Sequence, residues 1–286
     1  MKNSSILVPI DFSDNSLAAI DYAVEIAIIL DSKITLLHCF QHETPLYNHD
    51  TQNFVRTLNK SLILEHTEKL EQLISKYILQ EKQPEFEIVV KEGSLNSIIK
   101  DNVEALSPDF IVMGTKGITN KNFGGMGSNT KAVIDLGLAP VIVIPENSEF
   151  KGLKKAIYAT DFNYSDLAGI KFLVNLAKPV NGELILVHLI KADERDVAQI
   201  EANKFSRMLN EHVKYEHISL QLIDRKDIID TLGLLAKTHQ ANLISMTTRK
   251  RKGFFDKVFE KSLTQDMAMF TSVPLLAFVK EIPGAD

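Results

Sequence analysis

One pattern of apolar and polar residues occurs twice along this chain, and this duplication constrains the fold more than any other feature. A Leu-Leu-His run in the first half, for example, returns as Leu-Val-His in the second. Four segments have counterparts: 8–12 with 158–162, 36–38 with 186–188, 109–113 with 242–246, and 139–143 with 273–277. A chain of 286 residues is long enough to form two separate cores. The sequence therefore predicts two copies of one folding unit.

Within each copy, short apolar runs alternate with segments of helical periodicity. Residues 6–10 form such a run, and Leu17, Ile20 and Val24 then recur at helical spacing. A long helix is predicted over residues 51–80. Alternating strands and helices require a parallel sheet with helices on both faces. The sequence therefore predicts an α/β protein of two tandem doubly wound domains, residues 1–147 and 152–286.

Composition limits the location and partners of such a protein. Hydrophobic residues make up 45% and charged residues 24%, and no apolar run reaches the roughly 18 residues of a membrane span. The first residues lead directly into a strand pattern without a secretion signal, so we expect a cytoplasmic protein. A net charge of -5 argues against broad binding to nucleic acid or to an anionic membrane. The single cysteine, Cys39, is expected to be a buried thiol.

A glycine-rich stretch follows the apolar run 110–113. Gly114 and Gly117 are separated by two residues, nine more residues follow, and Gly127 then precedes a helical pattern with Ser128 as its expected N-cap. Glycines let the backbone approach an anion, and the N–H groups of a helix N-terminus converge on it. The stretch predicts a phosphate-binding loop, and the alternative is a loop that only shapes the surface.

This spacing resembles the nucleotide-binding signature of the ATP-binding branch of the universal stress protein family, and the resemblance covers nearly the whole chain as a tandem pair. It implies a five-stranded sheet of order 3-2-1-4-5 in each domain and pairing of the two domains through their last strands. It also implies binding of an adenine nucleotide (ATP, ADP or AMP), with Mg²⁺ or Mn²⁺ as a companion ion. The implied binding residues are Pro9, Asp11, Cys39, Met113, Gly114, Gly117, Gly127, Ser128, Asn129 and Thr130.

Two readings of Asp11 stay open at this level. Its carboxylate suits a ribose hydroxyl or an adenine amino group, but its position also suits a helix cap. The second domain keeps the equivalent Asp161 but has Thr247, Lys250 and Lys261 in place of the three glycines. We therefore expect one nucleotide site, in the first domain. The basic loop 249–261 is either an anion site or a solvated surface.

The expected function is regulatory binding in a stress response. Hydrolysis needs a positioned water and stabilisation of the transferring phosphoryl group, and no base or arginine finger is recognisable, so no catalytic residue is assigned. His42, His49 and Asp50 share a loop without a fourth ligand, so no metal site is assigned. The alternatives are a slow ATPase or phosphotransferase and, through the KH-like 114–117 loop, a nucleic-acid-binding protein. A parallel sheet opposes the latter. Homo-oligomerisation is left open.

Overall fold

The computed structural model describes residues 4–41, 49–78, 82–115, 127–145, 148–224, 228–249 and 273–280. Its first repeat contains strands β1 Ser5–Ile10, β2 Lys33–Phe40, β3 Phe86–Glu92, β4 Phe110–Gly114 and β5 Val141–Ile144. The second repeat contains β6 Lys155–Ala159, β7 Glu183–Ile190, β8 Ile218–Asp224, β9 Leu243–Arg249 and β10 Leu275–Lys280.

Seven α-helices of the described residues connect these strands. They are α1 Asp14–Leu30, α2 His49–Ile78, α3 Leu95–Leu106, α4 Ser128–Leu136, α5 Asp166–Ala177, α6 Arg195–His212 and α7 Ile228–His239. The long predicted helix is confirmed as α2, displaced by two residues at each end. Among the described residues, no helix has the length and apolar character that crossing a membrane requires.

The strands form one ten-stranded sheet of order β3-β2-β1-β4-β5-β10-β9-β6-β7-β8. Strands β1 to β5 follow the order 3-2-1-4-5, and the second repeat has the same order in mirror arrangement, so the predicted fold class is confirmed. All neighbouring strands are parallel except β5 and β10, which pair antiparallel with Ile142 opposite Leu276. The two repeats therefore meet at their last strands. The domain limits 1–147 and 152–286 stay predictions.

Helices cover both faces of this sheet. Side chains alternate along β1, where Ile6, Val8 and Ile10 belong to the core under α1, α2, α5 and α6, and Leu7 belongs to the core on the opposite face. The opposite core is covered by α3, α4 and α7, which contribute residues such as Ile99. Because the strands of the first repeat run in one direction, the carboxyl ends of β1, β2 and β4 meet at one edge of the sheet. In such sheets, ligands bind beyond this edge.

Candidate functional site

A half-open cleft lies at the carboxyl ends of β1, β2 and β4. Its unoccupied space of about 490 Å³ includes the solvent at its mouth. Seven of the ten residues implied by the resemblance line it: Pro9, Asp11, Cys39, Met113, Gly114, Asn129 and Thr130. Ile10, Ser16 and Leu95 complete the lining and were not predicted. Gly117 lies outside the described residues.

The turn from β1 to α1 forms one wall of the cleft. Asp11 accepts hydrogen bonds from the backbone N–H and the hydroxyl of Ser13, at 3.1 and 2.5 Å. Ser13 is the N-cap of α1, and its Oγ accepts from the N–H of Ser16 at 3.3 Å. Asp11 is therefore not the N-cap of α1. It orients Ser13, which is the N-cap. Its structural role and a role towards a ligand are compatible, because a carboxylate has two oxygens with several acceptor sites.

Ser16 is a lining residue that sequence reasoning missed. It lies in the first turn of α1, is buried, and donates its hydroxyl to the Ser13 carbonyl at 2.9 Å. Its local sequence gives no signal beyond helix initiation, where serine is common. Ile10 and Leu95 were missed for a similar reason, since apolar residues in a strand and a helix read as core.

Gly114, at the end of β4, packs directly against α1. A Cβ atom placed there would lie 2.6 Å from the backbone oxygen of Asn15, 2.7 Å from its carbonyl carbon and 2.8 Å from its Cβ. Real Cβ contacts are essentially never this short. The sequence interpretation gave this glycine the task of admitting a phosphate. The structure supplies another sufficient reason, which is close approach of the helix to the strand.

The phosphate end of the predicted site is the start of α4. Gly127 is the N-cap, with φ -60° and ψ 147°, so the prediction that Ser128 caps the helix is wrong. Ser128 is instead the first helical residue and is exposed. Because Gly127 has no side chain, it makes no cap bond to the first N–H groups of α4. These groups point out of a helix end whose next residues, Asn129 and Thr130, line the cleft.

Two hydrogen bonds fix this helix end to the sheet. The N–H of Gly127 donates to the carbonyl of Thr115 at 2.6 Å, and the hydroxyl of Thr130 donates to the carbonyl of Gly114 at 2.8 Å. Residues 115 and 127 are thereby held next to each other. A φ of -60° is available to any residue, so Gly127 is not required for a left-handed backbone. Its value to the site is the missing side chain.

Cys39 lines the side of the cleft formed by β2. It is a free, half-buried thiol, and burial raises its pKa to about 12. A thiol with such a pKa stays protonated at neutral pH and is a poor nucleophile. Cys39 therefore contributes a soft apolar surface to the wall, and it is only half-buried where the sequence predicted a buried thiol.

The corresponding place in the second repeat is built differently. Continuing the sequence match of 8–12 with 158–162 aligns Ser16 with Asp166. The strand register aligns Gly114 with Thr247. Asp166 is buried, and its carboxylate accepts from the hydroxyls of Thr160 and Tyr158 at 2.6 and 3.2 Å and from the N–H groups of Asp161 and Asn163, both at 3.2 Å. The hydroxyl groups of Tyr158 and Thr247 lie 2.6 Å apart. Here a buried, internally bonded carboxylate stands where the first cleft has the neutral hydroxyl of Ser16.

The remaining sequence predictions concern a metal site and the basic loop. In the described part of the chain, no group of three or more His, Cys, Asp or Glu side chains is arranged to hold a metal ion. His42 lies outside the described residues. Arg249, the first residue of the predicted basic loop, is the last residue of β9 instead, and residues 250–261 are not described. The alternative readings of that loop therefore stay open.

Comparison with known proteins agrees with this architecture. Residues 2–145 match the model of the Universal stress protein family. No curated protein matches the chain. A universal stress protein from Archaeoglobus fulgidus DSM 4304 is similar over 98% of this chain and 97% of its own, with a TM-score of 0.65 and 16% identity. A functionally unknown protein from Pseudomonas aeruginosa PAO1 is similar over 97% and 92%, with a TM-score of 0.57 and 14% identity.

A universal stress protein solved in complex with cAMP matches a smaller part. It covers 44% of this chain and 95% of its own, with a TM-score of 0.31 and 16% identity. At such identities the full-length likenesses show the fold alone, and the ligand belongs to the protein with which it was solved. What this chain binds has to be argued from its own cleft.

Proposed function

The chain belongs to the universal stress protein family, and we propose that it is a stress-response regulator that binds one adenine nucleotide in the cleft of its first repeat. ATP, ADP and AMP share the chemistry that this site would recognise, an anionic phosphate chain attached to an apolar base and a polar ribose. The proposed setting is the cytoplasm. No residue is assigned a catalytic role.

One observation carries the proposal: the N-terminus of α4, whose N-cap residue has no side chain, lies beside the cleft. Asn129 and Thr130 bring this helix end to the cleft, and Gly127 places no side chain on the first N–H groups. A helix N-terminus carries a partial positive charge and free donors, which together favour phosphate. Pro9, Cys39 and Met113 line the same cleft and offer the less polar surface that a base requires.

The companion cation would be held mainly by the nucleotide. Asp11 is the one carboxylate among the described lining residues, and it already accepts two hydrogen bonds from Ser13. Mg²⁺ is commonly bound through one or two carboxylates together with substrate phosphates. We therefore expect Mg²⁺ or Mn²⁺ to add to affinity only when the nucleotide has two or more phosphates.

We expect one nucleotide per chain because the second repeat has a carboxylate where the first has a hydroxyl. An anion placed in the second repeat at the position of the first cleft would face the Asp166 carboxylate, whereas in the first repeat it faces the Ser16 hydroxyl. Repulsion between like charges in a partly buried site disfavours binding there. This argument is independent of the glycines that the second repeat lacks.

Calorimetric titration with ATP, ADP and AMP tests the proposal, with Gly127→Asp as the decisive variant. Aspartate is among the preferred N-cap residues, so its carboxylate should occupy the free N–H groups of α4 without destabilising the fold. Because it also adds a negative charge where phosphate would lie, we expect at least a tenfold loss of affinity.

Gly137→Asp is the matched control, since it adds the same charge at the other end of the same helix. Gly137 has φ 66°, a conformation that Asp tolerates better than most residues. The nucleotide affinity of the Gly137→Asp protein should stay within about twofold of that of the wild type, because dissolved salt screens a charge at that distance. A wild-type protein that binds none of the three nucleotides at millimolar concentration, or a Gly127→Asp protein that binds as well as the wild type, contradicts the proposal.

A further inference from the structure

Behind the Asp11 wall of the cleft lies a histidine with an unsatisfied ring nitrogen. His38, near the end of β2, is only 6% exposed. Its Nδ1 lies 2.7 Å from the carbonyl oxygen of Ile10, and since a carbonyl can only accept, Nδ1 carries the proton. Nε2 is therefore a lone-pair nitrogen in the neutral ring. It is buried and has no hydrogen-bond partner among the described residues.

A second histidine packs against the first. His66, from α2, has its ring centre 4.4 Å from that of His38, and its buried Nδ1 likewise lacks a hydrogen-bond partner among the described residues. Two phenylalanines enclose the pair: Phe12 lies 4.8 Å from His38, and Phe40 lies 5.3 Å from His66. The two imidazoles thus share an aromatic pocket in which no described residue offers either buried nitrogen an oxygen to bond.

Burial, more than the surrounding charges, disfavours a proton in this pocket. Burial lowers the pKa of His38, and His66 and Lys69 act in the same direction, against the bond to Ile10 and the charge of Asp11. Burial also lowers the pKa of His66, and Lys69 adds to that effect while Glu65 opposes it. Lys69 and Glu65 form an exposed ion pair on α2 at 2.6 Å, so their effects on the pocket partly cancel. The neutral pair is the form that the native packing favours.

The His38 pocket also supports the turn that forms the cleft wall. Phe12 has φ 61°, a left-handed conformation that is unusual for a bulky residue and requires support from its surroundings. That support is the contact of its ring with His38, while the bond from His38 to Ile10 holds the preceding backbone. Ile10 and Asp11 both line the cleft. Loss of His38 from the pocket would therefore release this wall.

The second repeat provides an internal comparison. His188 makes the same bond to the carbonyl of Thr160, at 2.7 Å, and Phe162 has the same left-handed φ of 60° and stacks on it at 4.1 Å. The ring that α6 adds there is a phenylalanine, Phe205, which lies 5.2 Å from Phe162. The paired imidazoles therefore distinguish the repeat with the candidate cleft from the one without it.

We propose that His38 and His66 form a proton-sensitive latch, which holds the β1–α1 turn closed when both rings are neutral and releases it on acidification. In the released state both rings are exposed to water and titrate near the ordinary histidine value of about 6.5. The closed state binds fewer protons in the range below that value, so lowering the pH favours release. Each imidazole can contribute at most about a tenfold change per pH unit, between its pKa in the closed state and its pKa in the released state. The latch does not require that the cleft bind a nucleotide.

Hydrogen exchange of the full chain without nucleotide, at pH 7.5 and 5.5, tests the latch. The peptide 11–17 reports on it because the N–H groups of Ser13, Ser16 and Leu17 are hydrogen-bonded within the turn. After correction for the chemical exchange rates, its opening ratio should rise by at most about tenfold if one imidazole is linked and by at most about a hundredfold if both are. The corresponding peptide 161–167 is the control and should change less.

Two variants make the test specific. His66→Phe reproduces the ring of the second repeat and should reduce the rise in peptide 11–17, by at most about tenfold. Phe205→His builds the pair in the second repeat and should transfer an acid-dependent opening to peptide 161–167. The proposal is overturned if peptide 11–17 opens equally at both pH values, if both wild-type peptides change alike, or if acid protects the turn.

Discussion

Gly114→Ala distinguishes two reasons for a glycine at this position, which are room for a bound phosphate and room for the packing of α1 against β4. The added Cβ would lie 2.6 to 2.8 Å from three atoms of Asn15, two of them backbone atoms, whereas ordinary contacts begin at 3.4 Å. Relief of the shortest contact therefore needs a movement of about 0.8 Å, the difference between 3.4 and 2.6 Å. Neither side moves easily, because α1 is held by its Ser13 cap and β4 lies between β1 and β5.

These contacts set the loss of stability expected for Gly114→Ala. Overpacking of this kind costs about 1–3 kcal/mol, and the lower flexibility of the unfolded alanine chain offsets about 0.4–1 kcal/mol of it. The free energy of unfolding should fall by about 1–2 kcal/mol in protein free of nucleotide, which corresponds to a fall in Tm of a few degrees. Urea denaturation followed by circular dichroism measures it.

An Asn15→Gly background provides the control for Gly114→Ala. It removes the Cβ contact and leaves the two backbone contacts, so the alanine should cost less there but should still destabilise. The reasoning is refuted if Gly114→Ala is as stable as the wild type. If that stable variant also binds nucleotide more weakly, the glycine makes room for the ligand and not for α1.

Serine substitutions test two further points. Ser245 is fully buried and its hydroxyl has no hydrogen-bond partner among the described residues, so Ser245→Ala should stabilise the protein by about 1 kcal/mol. Ser13→Ala removes the α1 cap and should destabilise the protein by about 1 kcal/mol. Urea denaturation measures both changes, and changes of the same sign would contradict the prediction. Ser16→Asp places a carboxylate where the second repeat has Asp166 and should weaken nucleotide binding at least tenfold. The control is Ser16→Asn, which has a similar size but no charge, and this protein should bind nucleotide more tightly than the Ser16→Asp protein. Equal affinities in calorimetric titration would assign the effect to size alone.

Much of the fold was predictable because its signals are local and occur twice. Apolar runs alternating with helical periodicity specify strands and helices, and this alternation leaves a parallel sheet as the solution. The order 3-2-1-4-5 came from the family resemblance, since no local pattern states which strands are neighbours. Proximity of Asp11, Cys39 and Met113 then follows, because each stands at the carboxyl end of a strand and those ends share one edge.

The errors and omissions concern contacts between distant segments. Ser128 looked like an N-cap because serine is common there, but the helix begins one residue earlier. The carbonyl of Gly127 accepts the N–H of Lys131, and the N–H of Gly127 is held by the carbonyl of Thr115. Ser16 looked like any serine at a helix start, and only the packing of α1 over β4 brings it to the cleft. Gly114 looked like a residue that admits a ligand, and the proximity of Asn15 became visible only with the helix in place.

The sequence by itself determined the two-fold repetition, the fold class and which half carries a glycine-rich loop, because periodicity and glycine content are properties of the chain. The tertiary structure alone decided that β5 and β10 join the repeats in one sheet and that His38 meets His66. It also decided that a carboxylate stands in the second repeat where the first has a cleft-lining hydroxyl. These are meetings of residues far apart in the chain, and they depend on how helices pack on the sheet, which no local pattern encodes.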